Sequence, residues 1–152
     1  MSTNSNAVSA LNTLITRNYD AEKGYQQAAE QADNAELKNL FNHFAEQRYQ
    51  FGHEIKDEIK KLGGDINKGT SLKGDLHRAW IDLRSTFASN DDVAVLDECI
   101  RGENVAADDY KEAINTEGLP ISARETLQRQ HSKIEAAIGT VENLKQKFQA
   151  IS

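Results

Sequence analysis

The sequence has little of what several classes of protein depend on, with one cysteine, one proline and nine glycines in 152 residues. The single Cys99 cannot form an internal disulfide, so the fold has to be stable without one. No long apolar run is present, because charged residues interrupt even the most apolar segments, and this pattern predicts no membrane-spanning helix. The opening stretch MSTNSNAVSA has no basic segment followed by an apolar core, and we therefore expect a cytoplasmic protein.

Positive charge is also scarce. Lysine and arginine number 18 against 24 aspartates and glutamates, which gives a net charge of -6. Nucleic acids and anionic membranes are bound through a basic face, so neither is expected as a partner. A homodimer, or a protein partner that docks on an exposed helix face, is the class of partner that remains.

Helical periodicity is abundant. Apolar residues recur at steps of three and four, which is the spacing of one helix face, and no alternating strand pattern competes with it. Gly63 and Gly64 favour a helix end, as do Gly118 and Pro120 later in the chain. The predicted helices lie at about 7–31, 34–62, 71–88, 91–116 and 121–150.

The segment 71–88 bears on the topology of the predicted bundle. At about 1.5 Å per residue it spans about 27 Å, which is much of the length of a long bundle helix. It can therefore return along the bundle and make the second and third long helices parallel, as in ferritin-like bundles with one crossover. We predict an all-α fold, a ferritin-like four-helix bundle with an additional crossover helix between the second and third bundle helices. It forms a single domain over residues 1–152, and a plain five-helix array is the alternative.

Four ionisable residues occupy or border the apolar stripes. Within IRGENVAADDY, Glu103 stands at a position where the helical spacing calls for an apolar side chain. Counting residues from the predicted turns brings Glu22, Arg48 and His131 to nearly the same level, near the middle of the bundle. The sequence thus predicts a buried polar layer of Glu22, Arg48, Glu103 and His131.

One interpretation of this layer is a metal site. Carboxylate oxygens and an imidazole nitrogen suit iron or manganese, and bundle interiors hold such ions on glutamates and Glu-x-x-His pairs. Glu22, Glu103 and His131 are the candidate ligands. The ligand set is incomplete, because the residue three positions before His131 is Gln128, whose amide is a poor ligand. This interpretation predicts an oxidase or a metal store.

The other interpretation needs no metal or cofactor. Arg48 would neutralise Glu22 and Glu103 with its planar guanidinium, and His131 would form a hydrogen bond nearby. The sequence contains no catalytic Ser/His/Asp arrangement, glycine-rich phosphate loop or CxxC motif. It therefore predicts no catalytic residues and favours a non-catalytic structural or partner-binding protein, of the kind associated with stress.

Five stretches of the chain also carry a resemblance to a known family: DAEKGYQQAAE, ELKNLFNHFAEQRYQF, LGGD, LHRAWIDL and IRGENVAADDYKEAI. Together they resemble a family of small bacterial four-helix-bundle proteins, which carries a domain of unknown function and is placed in the ferritin-like superfamily. The resemblance covers nearly the whole chain and implies a ferritin-like fold and a bacterial origin, but no established activity. Members of that family carry a histidine late in the last helix, where this sequence has Ile138, and the departure weighs against a metal site.

Overall fold

The computed structural model describes residues 2–66 and 91–151. In this part of the chain there are four α-helices and no strand, which confirms the all-α prediction there. The helices are α1 (Ser2–Gln31), α2 (Ala35–Lys61), α3 (Asp92–Ile114) and α4 (Ile121–Ile151). The segment 71–88, predicted as a crossover helix, lies outside the described residues. None of the described helices is long and apolar enough to cross a membrane.

The helix ends have local causes. Asn34 Oδ1 accepts a 3.1 Å hydrogen bond from the Leu37 amide at the start of α2, and Asp91 Oδ1 accepts one of the same length from the Ala94 amide at the start of α3. Gly63, with φ of +71°, follows the end of α2 in a conformation that glycine adopts without strain. Gly63 confirms the helix end that the sequence pattern predicts at Gly63 and Gly64.

α1 begins earlier than the predicted start near residue 7. No glycine or proline stands among the first residues to oppose helix formation. The extra turn is also tied to the rest of the fold, because Asn4 Nδ2 donates a 3.3 Å hydrogen bond to the Leu62 carbonyl beyond α2. Apolar periodicity could not detect this turn, since its residues are polar.

The direction of the helices follows from the contacts between them. The hydroxyl of Tyr25 lies 3.2 Å from Cys99 Sγ, and Asn18 Nδ2 donates to the Tyr110 hydroxyl at 2.9 Å. The earlier residue on α1 thus contacts the later residue on α3, and the later residue on α1 contacts the earlier one. These two helices are therefore antiparallel. α2 is antiparallel to α1 across the short turn at residues 32–34. α2 and α3 are consequently parallel, and the end of α2 and the start of α3 lie at opposite ends of the bundle.

α4 runs antiparallel to α2. Lys147 pairs with Glu36 near the start of α2, and Ser122 Oγ donates to Glu58 Oε1 at 2.9 Å near its end. Thr126 Oγ1 also donates to Glu58, at 3.1 Å, so this buried carboxylate is held by two hydroxyl groups of α4. The first turns of α4 are thereby fixed against α2.

The core of the described residues contains two apolar clusters, one towards each end of the bundle. The first is centred on the aromatic rings of Tyr25, Phe41 and Phe44, and the second on aliphatic side chains such as Leu14 and Ile55. Along α1, α2 and α3 the chain passes from one cluster to the other at a buried polar residue. These residues are Asn18, Arg48 and Glu103.

Candidate functional site

Arg48 and Glu103 form an ion pair in the middle of the bundle. Both side chains are buried, with 1% and 0% of their surface exposed. Arg48 Nη2 donates to Glu103 Oε1, which joins α2 to α3. A buried charge is costly unless it is paired, so each residue accounts for the presence of the other.

Asn18 extends the pair to α1. Its Oδ1 accepts a 3.0 Å hydrogen bond from Arg48 Nη1. Its Nδ2 donates at 2.9 Å both to the Leu14 carbonyl and to the Tyr110 hydroxyl. Asn18 is 1% exposed and was not among the sequence candidates. The Asn18 amide therefore connects the charged guanidinium of Arg48 to the neutral hydroxyl of Tyr110.

Gln130 completes the layer on α4. The Tyr110 hydroxyl donates to Gln130 Oε1 at 2.6 Å, and Gln130 Nε2 donates to the Phe51 carbonyl at 3.2 Å and to Glu54 Oε1 at 2.8 Å. Glu54 is partly exposed and pairs with Arg129 at 3.0 Å. The contacts therefore run through all four helices, from the buried ion pair to the surface of the bundle.

Two polar atoms of this layer have no hydrogen-bond partner within the described residues. They are Arg48 Nε and Glu103 Oε2. The guanidinium carbon of Arg48 also lies 5.8 Å from the centre of the Phe51 ring, an arrangement in which the ring face attracts the cation. The ion pair is thus held by a hydrogen bond, by Asn18 and by an aromatic ring, with hydrogen-bonding capacity left over.

Glu22, which was predicted to join this layer, lies on a different side of α1. Its carboxylate is half-buried in a cleft between α1 and α2 and accepts a 3.3 Å hydrogen bond from Gln26 Nε2. Burial raises the pKa of Glu22, while Lys23 and Lys56 oppose that shift by attraction. The contacts of Glu22 do not include Arg48, although Arg48 also borders the cleft.

His131 lies one position beyond the core face of α4. Its side chain is 20% exposed, and its Nε2 is 3.3 Å from Glu135 Oε1, one turn further along the same helix. Successive residues on a helix are about 100° apart, so the neighbouring Gln130 takes the position in the core. The structure brings Arg48 and Glu103 together but leaves Glu22 and His131 in separate surroundings.

These positions decide how well the candidate ligands fit a metal ion. Within residues 2–66 and 91–151, no three histidine, cysteine or acidic side chains converge closely enough to hold one. Glu103 shares its carboxylate with a guanidinium, which already supplies the positive charge that a metal ion would bring. Of the three candidate ligands, Glu103 is therefore bound to Arg48, while Glu22 and His131 lie apart from it.

Cys99, Tyr25 and Tyr110 are also titratable groups buried in the bundle. Burial raises the pKa of Cys99 to about 12, against smaller opposing effects of the Tyr25 hydroxyl and of Arg48. Burial also raises the pKa of Tyr25 and of Tyr110. A thiol is nucleophilic only as the thiolate, so the raised pKa and the burial of the side chain both disfavour reaction at Cys99 at neutral pH.

The cleft that contains Glu22 is an accessible polar feature beside the layer. It has a volume of about 720 Å³ and lies between α1 and α2. Tyr19 and Lys23 line it from α1, and Tyr49 and Lys56 line it from α2. The buried Arg48 lines the floor of the cleft, so the cleft reaches from the surface of the bundle to the ion pair.

Comparison with known proteins identifies a family for most of the chain. A family model described as "Domain of unknown function (DUF2383)" matches residues 6–116. The matched stretch contains Asn18, Arg48 and Glu103 but ends before α4 and Gln130. No curated protein matches the chain.

Proposed function

We propose, for a chain that belongs to the family described as a domain of unknown function (DUF2383), a non-catalytic role as a structural or partner-binding protein. The observation that carries the proposal is the ion pair of Arg48 with Glu103 in the centre of the core. This ion pair supports a structural role for the polar layer, which would hold the four helices in register, over a catalytic role.

The ion pair argues against a metal centre on electrostatic grounds. A divalent ion at Glu103 would lie close to the Arg48 guanidinium, and two cations in a poorly solvated core repel each other strongly. Glu103 would have to release Arg48 before it could act as a ligand. The released guanidinium would then be a buried charge without its carboxylate, which is one of the costliest states of a protein interior.

The remaining buried groups support the same role. Asn18, Tyr110 and Gln130 are bound to one another and to the ion pair, so their polar atoms are engaged in holding the helices. Burial raises the pKa of Cys99, which favours the protonated thiol. None of these side chains combines accessibility with an activated nucleophile or base, the combination that covalent or acid–base catalysis needs.

The proposal includes a ferritin-like fold with a crossover helix between α2 and α3. The parallel direction of these helices supports it, because parallel neighbours joined in sequence need a long connection. It also includes a cytoplasmic location and a partner that is neither nucleic acid nor membrane, in line with the net charge of -6. The proposed partner is a second copy of the chain, or another protein, bound to an exposed helix face.

A second candidate function is an iron- or manganese-binding protein, an oxidase or a metal store. One observation favours it, namely that Glu103 Oε2 has no partner within the described residues and so keeps a free acceptor. If Arg48 moved aside, Glu103 could approach a cation. The two candidates differ in a measurable quantity, the metal content of the purified protein.

The test is metal analysis of protein purified from culture supplemented with iron and manganese. We expect no stoichiometric metal in the unmodified chain, in Glu103→Ala, or in Glu142→Ala, an exposed-site control on α4. Stoichiometric metal that is lost in Glu103→Ala and kept in Glu142→Ala would overturn the proposed function. A sizing column adds a second criterion, because metal storage requires a shell-forming oligomer.

A further inference from the structure

The cleft between α1 and α2 has the dimensions of a small-molecule site. Its volume of about 720 Å³ falls within the roughly 300–1,000 Å³ of typical ligand pockets. Its walls are two long antiparallel helices that pack directly on each other, together with Ile66 beyond the end of α2. Arg48, at the base of the cleft, is fixed by Glu103 and Asn18.

Gly52 keeps one wall of the cleft open. It lies inside α2, where glycine is poorly suited to the helix. A Cβ atom built at Gly52 would meet no heavy atom within 4 Å, so close packing does not require a glycine here. At Gly64, by contrast, a Cβ would lie 2.6 Å from Val8 Cγ2. The effect of Gly52 is to leave a space in the wall that a side chain would fill.

Aromatic rings line the cleft from both helices. Tyr19 belongs to α1 and Tyr49 to α2. Tyr49 is 45% exposed, one of the few large apolar side chains of the described residues to be so open. Its ring is steadied by an edge-to-face contact with His53, with 4.6 Å between the ring centres. An exposed tyrosine held in this way suits a flat apolar ligand, because its ring stacks at low cost in side-chain entropy.

The charges around the cleft favour a single negative charge on the ligand. Lys23 and Lys56 each contribute one positive charge, and Glu22 contributes one negative charge. The charge of Arg48 is already balanced by Glu103. The formal sum is one positive charge with His53 neutral, in a protein that is acidic overall. Lys23 Nζ lies 5.5 Å from the centre of the Tyr19 ring, so a cation and an aromatic surface stand side by side.

We propose that this cleft binds a small aromatic monoanion of the arene carboxylate class. The flat body lies among Tyr19, Tyr49 and the space at Gly52, and the carboxylate lies within the field of Lys23 and Lys56. The inference rests on the binding role proposed above, to which it adds a site and a class of ligand.

The test uses the full chain and 2-naphthoate as the probe, with binding measured by calorimetry at neutral pH. Two reference compounds separate the parts of the proposal: 2-naphthylmethanol has the rings without the charge, and acetate has the charge without the rings. We expect 2-naphthoate to bind at least about tenfold more tightly than either compound. No detectable binding of 2-naphthoate at roughly 5 mM would overturn the proposal. Equal affinity for either reference compound would also overturn the assigned ligand class.

Variants then place the probe in the cleft. Gly52→Leu puts a side chain into the open space and is expected to weaken 2-naphthoate at least about tenfold. Gly139→Leu is the matched control, because Gly139 also lies inside a helix with no heavy atom within 4 Å of a built Cβ. It is expected to bind as the unmodified chain does. Equal binding by both variants would overturn the assignment of the site.

A charge variant keeps the test decisive should Gly52→Leu unfold, which circular dichroism would show. Lys23→Gln with Lys56→Gln removes the positive field without adding bulk, and we expect at least about tenfold weaker 2-naphthoate with unchanged 2-naphthylmethanol. Unchanged 2-naphthoate binding would contradict the proposal. The outcome is independent of metal content: stoichiometric metal at Glu103 would refute the proposed function alone, and absent binding in a metal-free protein would refute the cleft alone.

Discussion

The hydroxyl of Tyr110 on α3 donates a 2.6 Å hydrogen bond to Oε1 of Gln130 on α4, and both side chains are buried in the core. The same hydroxyl accepts a 2.9 Å hydrogen bond from Asn18 Nδ2 on α1. One neutral oxygen atom thus connects three helices. It also links the charged pair of Arg48 and Glu103 to the edge of the bundle, through groups that carry no charge themselves.

Tyr110→Phe tests the worth of this connection. The change removes one oxygen, leaves Gln130 Oε1 without its donor and leaves Asn18 Nδ2 with only the Leu14 carbonyl. An unsatisfied buried polar group costs about 1–3 kcal/mol, so we expect the free energy of unfolding in urea to fall by about that amount. Gln130→Leu and the double variant complete a cycle, in which residues in direct contact couple by about 0.5–3 kcal/mol. Purely additive effects would contradict a direct bond.

Arg48 and Glu103 allow a sharper test, because removing both charges should reduce stability less than removing either one alone. Arg48→Met or Glu103→Leu alone leaves an uncompensated buried charge, which costs about 3–5 kcal/mol. The double variant has neither charge, and we expect most of that loss to be recovered. The measurement is urea unfolding of all four proteins at one pH. A double variant as unstable as the worse single variant would show that Asn18 or the packing, and not the charge pairing, determines the stability.

The place of Glu103 in the core could be predicted from its spacing alone. Ile100 and Ala107 lie three and four residues from it, Tyr110 lies seven residues from it, and all three belong to the same helix face. The only fully buried acidic side chain among the described residues is Glu103. Arg48 follows by similar reasoning from Phe44 and Phe51 on either side. Such spacing fixes which face a residue occupies, and in a long amphipathic helix this is most of what decides burial.

The remaining members of the layer could not be fixed so firmly. From Leu127 to Ile134, a step of four followed by three selects His131, and a step of three followed by four selects Gln130. Both orders fit a helix, and the structure has the second. Glu22 shows the same ambiguity on α1, where the neighbouring Ala21 is buried. Asn18 could have been found, because it lies three residues after Ile15, but neutral amides draw less notice than charges.

Substitution of glycine by alanine should stabilise the protein at some positions and destabilise it at others. Gly52→Ala and Gly139→Ala meet no heavy atom within 4 Å and replace glycine inside a helix, so each is expected to stabilise by about 0.5–1 kcal/mol. Gly63 has φ of +71°, where an L side chain is strained, and Gly63→Ala should destabilise by about 1–2 kcal/mol. Thermal unfolding of the three variants checks the order. Stabilisation by Gly63→Ala would contradict the left-handed end of α2.

The buried thiol of Cys99 predicts how stability changes in alkali. Burial raises its pKa from the ordinary 9.0 to about 12, so the unfolded chain loses this proton at a lower pH than the folded chain does. The unfolded state then binds fewer protons, and stability falls as pH rises. The contribution is fully present below about pH 9 and is lost progressively towards pH 12. The raised pKa values of Tyr25 and Tyr110 act in the same direction from a higher starting point.

Cys99→Ala isolates the thiol from the tyrosines. The free energy of unfolding in urea, measured at several values from roughly pH 8 to 10.5, should fall less steeply in Cys99→Ala than in the unmodified chain. The variant also loses some packing, which lowers the whole curve but leaves its slope with pH unchanged. In the native chain at pH 8, a disulfide reagent should label Cys99 only as fast as the bundle opens. Equal slopes in the two proteins, or rapid labelling without denaturant, would mean that the α1–α3 interface around Tyr25 and Cys99 admits water.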